Sequence, residues 1–227
     1  MKVTYYGHAC IGVETAGKHL LFDPFITPNE LAKQIDASKI KADYIFISHG
    51  HEDHLADAAS IAKKNNATVV SNFEIATWLH AKQGVEKYHP MNHGGSWKFD
   101  FGTVKYVNAI HSSTLPDAAS GGNPGGFIAE SSEGSFYFSG DTALTYDMKL
   151  IGESYKLKFA CLPLGDNFTM GIDDAVKAAD FVNCKNIIGM HFDTFGYIKI
   201  DHEEAKQKFL KAAKTLHLLN IGQSITI

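Results

Sequence analysis

Residues 49–54 read His49-Gly50-His51-Glu52-Asp53-His54, so three imidazoles and the Asp53 carboxylate fall within one hexapeptide. Imidazole and carboxylate are the donors that zinc and its neighbours select, and a merely solvated turn has no use for them at this density. The run ahead, Tyr44-Ile45-Phe46-Ile47-Ser48, is apolar, aromatic and β-branched, which predicts a buried strand. Alternation along that strand sends His49 and His51 to one side, where both can grip a single metal ion. Past His51 the chain turns toward an alanine-rich helix, and Asp53 and His54 then face a second position nearby. Gly50 removes a side chain where the backbone must bend. The chemistry expected here is metal binding.

The same placement recurs further along. His111 closes the apolar run 104–110, Asp141 follows Phe136-Tyr137-Phe138-Ser139-Gly140, and His191 follows Asn186-Ile187-Ile188-Gly189-Met190. A single such residue is ordinarily a capping group. Three in succession form a pattern, because strand ends on one edge of a sheet converge.

The elements that must position them follow from periodicity. Residues 3–6, 11–15 and 19–22 read as short strands with turn points at Gly7 and Ala16-Gly17. From Ile40 strand and helix alternate: a strand at 44–48, a helix from 56 to about 64, a strand at 68–70, a helix at 74–82 and a strand at 102–110. Strands at 126–130 and 135–139, a helix at 144–153, a strand at 159–162 and a helix at 172–182 come next. A strand at 186–190, a helix at 203–214 and terminal strands within 218–227 complete the chain. Ile172, Val176 and Ala179 share one helical face, which suits docking on a sheet, while Asp173 and Asp174 suit the positive end of that helix. No Pro/Ser-rich linker divides the sequence, so the expectation is one domain over 1–227, made of two related halves with sheets inside and helices outside.

Composition narrows the function classes. An apolar fraction of 44% is that of an ordinary globular protein, and a net charge of -4 without a polybasic run disfavours a nucleic-acid partner. Neither a signal peptide nor an apolar stretch of about 18 residues is found, so no membrane partner is expected. Cys10, Cys161 and Cys184 are scattered and odd in number, and read as buried small hydrophobes in a reducing compartment. The expectation is a cytoplasmic protein acting on a small molecule; a homo-oligomer remains open.

The pattern His49-x-His51-x-Asp53-His54, followed by His111, Asp141 and His191, resembles the metallo-β-lactamase superfamily over nearly the whole chain. Tyr6-Gly7-His8-Ala9 and the stretch 163–171 are further similar to uncharacterised metal-dependent hydrolases grouped with the ascorbate-6-phosphate lactonase-like proteins. The resemblance implies an α+β fold, a four-layer αββα sandwich of two mixed sheets flanked by helices, with a dinuclear metal site between the sheets. It implies that His49, His51 and His111 hold one metal, that Asp53, His54 and His191 hold the other, and that Asp141 bridges both. The activity implied is hydrolysis of a small ester, lactone or phosphodiester by hydroxide shared between two divalent ions roughly 3.5–4 Å apart. Zinc leads as cofactor, and manganese and iron suit the same donors. Asp141 stands where true β-lactamases often carry Cys. His51 stands where di-iron flavoproteins usually carry Glu, which lowers the redox reading. The alternatives are a nuclease or phosphodiesterase on nucleic acid, a di-iron redox protein, and a metal-holding protein without turnover.

Other residues carry two readings each. Asp23, in Phe22-Asp23-Pro24, either opens a turn or, as its matching position implies, orients a metal-binding histidine. His8 is either a strand-end polar residue or, by the resemblance, a group at the pocket mouth that binds an anion or donates a proton. Asp166 and Asn167 either cap the helix at Ile172 or line the pocket. Cys10 reads as core rather than nucleophile. The stretch 112–125, rich in Gly and Pro and directly after His111, is long enough to be a rim or lid; a disordered decoration is the alternative.

Overall fold

The computed structural model describes residues Met1–Ile227, and in it the apolar runs pair into two seven-stranded sheets. The first has the order β14 (Ser224–Thr226), β1 (Lys2–Gly7), β2 (Cys10–Thr15), β3 (Lys18–Phe22), β4 (Tyr44–Phe46), β5 (Thr68–Asn72), β6 (Tyr88–Met91). The second has the order β13 (Thr215–His217), β12 (Asn186–Met190), β11 (Leu157–Pro163), β10 (Gly134–Phe138), β9 (Gly125–Ser131), β8 (Gly102–Asn108), β7 (Ser96–Lys98). Both sheets are mixed in the same way. Strands β1 to β3 pair antiparallel and β3 to β6 parallel; β7 to β10 pair antiparallel and β10 to β13 parallel.

Alternation sorts the central strands into three apolar layers, which is why they read as continuous runs rather than as half-polar strands. Phe46, Val70, Phe136, Phe138, Phe159 and Ile188 face between the sheets, where Phe22 stacks on Phe46 and on Phe138 with ring centroids 4.8 Å apart in each case. Ile45 and Val69 face outward against α2 (Ala58–Asn65) and α3 (Phe73–Gln83). Tyr137, Ala160, Leu162 and Ile187 face the opposite way, against α4 (Asp147–Ser154), α5 (Ile172–Phe181) and α6 (His202–Lys211). The result is the expected four-layer αββα sandwich. All three cysteines are free and buried, and Cys10 belongs to the core, where burial pushes its thiol well above the usual range.

Several boundaries differ from the periodicity reading. The strand expected over 44–48 ends at Phe46, and the helix expected from 56 is two: α1 (Glu52–Leu55) and α2. The break lies at Asp57, whose buried carboxylate turns inward to accept the Ile26 and Thr27 N–H groups at 2.7 and 2.9 Å. Helix α4 starts at Asp147 rather than near 144, because Thr142 and Ala143 are tied to Ile110 by two hydrogen bonds. Strands β6 and β7 were not foreseen. Pro90 within β6 is tolerated because that strand lies at a sheet edge.

Candidate active site

Strand direction places the chemistry. Strands β1, β3 and β4 run the same way in the first sheet, and β8, β10 and β12 run the same way in the second. Each carries a site residue just past its C-terminal end: His8 after β1, Asp23 after β3, residues 49–54 after β4, His111 after β8, Asp141 after β10 and His191 after β12. The two sheets meet there, where the His191 N–H donates to the His8 carbonyl at 2.8 Å.

Asp141 lies at the middle of the imidazoles. Its Oδ2 is 2.9 Å from His191 Nε2, 3.3 Å from His54 Nε2, 3.6 Å from His111 Nε2 and 4.0 Å from His49 Nε2. On one side His49, His51 and His111 offer ring nitrogens within 4.8 Å of one another; on the other, ring nitrogens of His8, His54 and His191 and a carboxylate oxygen of Asp53 do so, and Asp23, His49 and His54 form a third such group. His49 Nε2 and His51 Nδ1 face each other at 2.9 Å. His54 Nε2, His191 Nδ1 and Asp141 Oδ1 are buried without a hydrogen-bond partner, a costly arrangement unless something else satisfies them. A cation suits these lone pairs, and the donor set is one that divalent metals favour. His49 and His51 do not converge as alternate residues of a strand. They sit in the loop beyond β4, with His51 in extended backbone capping α1.

A buried hydrogen-bond chain fixes how the imidazoles point. Asp23, with no solvent exposure, accepts the Ser48 N–H at 2.8 Å on Oδ1; on Oδ2 it accepts the Ser48 hydroxyl at 2.6 Å and His54 Nδ1–H at 2.7 Å. Ser48 Oγ, its proton given to Asp23, accepts His49 Nδ1–H at 2.9 Å. Both histidines therefore carry the proton on Nδ1 and turn Nε2 toward Asp141. Ser48 went unremarked in the sequence. The signal for it was register: Phe22 and Phe46 pair across β3 and β4, so Asp23 and Ser48 lie together beyond them.

His8 is not at the pocket mouth. It is 1% exposed, covered by the rings of Phe25 and Phe195, with Nδ1 2.9 Å from Thr194 Oγ1 and Nε2 3.1 Å from Asp53 Oδ2. Burial and the neighbouring His191 pull its pKa down to about 4, so it is a neutral ring that donates Nε2–H to Asp53 rather than an anion site. Asp166 and Asn167 do not cap helix α5. Both are exposed at positive φ, helix α5 has no side-chain cap, and the Asp166 carboxylate accepts the neighbouring Asn167 N–H at 2.8 Å. Their loop is nevertheless tied to the site, because the Met170 N–H donates to the Thr142 carbonyl beside Asp141 at 3.1 Å.

Electrostatics divide the cluster. Burial holds His49, His51 and His111 below the usual histidine value, so they are neutral near pH 7 and ready to donate lone pairs. Burial opposes charge on His54 too, but Asp141, Asp23 and Asp53 outweigh it and hold that ring well above its ordinary value. Burial works against the Asp141 carboxylate as well, and His191 and His54 overcome it to hold Asp141 well below the carboxylate range.

The stretch 112–125 is an ordered rim. Ser113 Oγ accepts the Gly50 N–H, Leu115 is buried against Gly50, and Asn72 donates to the Gly121 carbonyl. A Cβ on Gly50 would lie 3.3 Å from Leu115, so its small size serves this packing rather than a bend. Gly140, at φ +60°, is where the backbone passes Ser48: a Cβ there would lie 2.5 Å from the Ser48 Cβ. His19, His80, His89, His93, His202 and His217 join none of the metal-competent groups.

The model of the beta-lactamase superfamily domain matches residues 2–191. A UPF0173 metal-dependent hydrolase of Flavobacterium johnsoniae is 57% identical over 227 residues, covering 100% of both chains. Among solved structures, Igni18, a metallo hydrolase of the hyperthermophilic archaeon Ignicoccus hospitalis, matches with a TM-score of 0.88 and 32% identity over 99% of this chain and 97% of that one. An isothiocyanate hydrolase from Delia radicum gut bacteria, 18% identical over 100% of this chain and 99% of that one, shares the fold with a TM-score of 0.81.

Proposed function

The chain belongs to the beta-lactamase superfamily as a metal-dependent hydrolase, and on that premise we propose that it hydrolyses a small ester, lactone or phosphodiester with two divalent metal ions. The observation that carries the reading is the pair of donor groups on either side of Asp141 Oδ2. His49, His51 and His111 would hold one ion, Asp53, His54 and His191 the other, with Asp141 between. Metal bound there would supply Lewis acidity at the oxygen under attack and a water more acidic than bulk; zinc leads, and manganese or iron meets the same donors.

The residues' own work is orientation and proton placement. Asp23 and Ser48 hold Nδ1 of His54 and His49 protonated, so that each Nε2 faces the site, and the second proton that the surrounding carboxylates favour on His54 would leave as a metal binds there. His54 first and His8 second overcome burial to keep the Asp53 carboxylate ionised, and the His8 hydrogen bond aims it. Asp141, held ionised, sets the distance between the two donor groups. The three free buried cysteines suit a reducing compartment, and we place the activity in the cytoplasm on a small-molecule substrate.

Elemental analysis tests the reading. Wild-type protein is expected to carry close to two metals per chain, with His49→Ala and His191→Ala each losing one. Asp141→Ala should lose turnover far more than it raises KM, the sign of an interaction made in the transition state. One metal in wild type, or full activity in Asp141→Ala, overturns it.

A further inference from the structure

The donor cluster opens to solvent through few of its members: the side chains of Asp53 and His111 are 27% and 13% exposed, whereas those of His49 and His54 are fully buried. Two short loops anchored beside the site carry exposed aromatic rings. Phe195, 38% exposed, packs its ring 5.3 Å from that of His8, beside Asp53. Tyr197, 80% exposed, follows in the single 3₁₀ turn Gly196–Ile198, and its ring meets that of Phe168, 50% exposed, at 6.2 Å. The Phe168 loop is fixed at both ends by the site itself. Gly165 lies against the His191 carbonyl, and Met170 is bonded to Thr142. Scattered exposed apolar residues are ordinary, but three rings on two loops anchored to proposed metal ligands form a directed patch.

Charge points the same way. All 21 basic residues of the chain are lysines, and none lies in segments 23–29, 47–57, 110–125, 139–146, 163–171 or 191–198, which surround the site. Those segments do carry eight acidic residues, of which Glu52, Asp117 and Asp166 are exposed. Recognition of a phosphate ordinarily uses Arg or Lys, whose donors match its oxygens. The rim offers aromatic faces and carboxylates instead.

We propose that the substrate is a neutral carboxylic ester or lactone whose apolar acyl part lies against Phe168, Phe195 and Tyr197, rather than a phosphodiester. This rests on the hydrolase reading above and names its substrate class. Transfer of one methylene onto such a surface is worth about two- to fourfold in affinity, the upper figure for full burial.

The test uses full-length, metal-loaded protein with p-nitrophenyl acetate, butyrate and hexanoate, and with bis(p-nitrophenyl) phosphate. Binding of acetohydroxamate and hexanohydroxamate by calorimetry is the second readout, which needs no turnover. The expected result is a kcat/KM at least about tenfold higher for hexanoate than for acetate, and a similar preference for the longer hydroxamate. Both should shrink toward unity in Phe168→Ala and Tyr197→Ala, whose exposed positions and unchanged metal content separate the effect from misfolding. A flat dependence on chain length, the same dependence in both variants, or a higher kcat/KM for the phosphodiester overturns the proposal. If metal-loaded protein cleaves nothing, the hydrolase reading fails by itself. The hydroxamate series then decides the rim alone, and equal affinities for the two lengths overturn it.

Discussion

Asp23→Asn exchanges one oxygen for an amide nitrogen in a pocket without solvent, and its cost can be worked from the three donors that Asp23 receives. Asparagine tolerates the left-handed backbone at φ +43° about as well as aspartate, so the exchange leaves the chain path alone. If the amide oxygen takes the Oδ2 place, it still accepts from Ser48 Oγ and His54, but the NH₂ group then faces the Ser48 N–H, donor against donor. The flipped amide satisfies that N–H and confronts the other two donors. Either way at least one buried donor loses its acceptor, which costs about 1–3 kcal/mol. For a chain of this length that is a fall in Tm of roughly 2–12 °C in chelated protein.

Metal affinity should fall further. His54 loses the anion that keeps its proton on Nδ1 and its ring in place, and removal of such a partner typically costs 10–100-fold in affinity. Competition titration with a chromophoric zinc chelator, beside thermal melts with and without metal, measures both effects. A zinc affinity within twofold of wild type, with an unchanged metal-free melt, would refute the hydrogen-bond chain and leave Asp23 a turn opener.

Gly140→Ala forces a Cβ to within 2.5 Å of the Ser48 Cβ at φ +60°, so a loss of roughly 2–5 kcal/mol is expected in urea unfolding, with weaker metal binding through Ser48 and His49; a variant within 0.5 kcal/mol of wild type would show that the approach is not needed. Chelated protein should lose stability as pH falls below about 6.5, since the unfolded chain takes up protons that His8, His49, His51 and His111 refuse when folded. His54, raised, contributes a constant below that pH, and His8, lowered from 6.5 to about 4, accounts for about 3 kcal/mol between those values. A urea midpoint flat from pH 6.5 to 5 in chelator would contradict the burial of neutral imidazoles.

The legible part of the site was the part governed by strand direction. His49, His51, His54, Asp141 and His191 follow runs that are apolar because both faces are buried, His111 follows a strand buried on one face, and all these strands end on one edge of their sheets. The illegible part depends on partners distant in sequence. His8 ends a strand like the others, but its burial is decided by Thr194 and Phe195, which lie 186 and 187 residues away and have no periodicity that marks them. Ser48 is chemically silent by type until Asp23 is placed beside it by the pairing of β3 with β4. Asp57 interrupts an alanine-rich helical stretch because two N–H groups from the loop at 26–27 need an acceptor inside.

One feature of the backbone ties fold to chemistry more closely than any pairwise contact. His8, Asp23 and His191 all stand at positive φ, at 54°, 43° and 54°, in the first position beyond their strands. A left-handed residue there turns the chain abruptly, so the side chain swings into the space between the sheets instead of continuing the strand's alternation. For histidine the conformation costs on the order of 1–2 kcal/mol, and it persists only where the surroundings require it. Here the requirement is visible, because the bent backbones of His8 and His191 bond to each other across the two sheets at 2.8 Å. The seam that joins the halves of the sandwich is thus the same set of residues that brings the donor groups within reach of one another, so strain at the site is offset by the packing of both sheets.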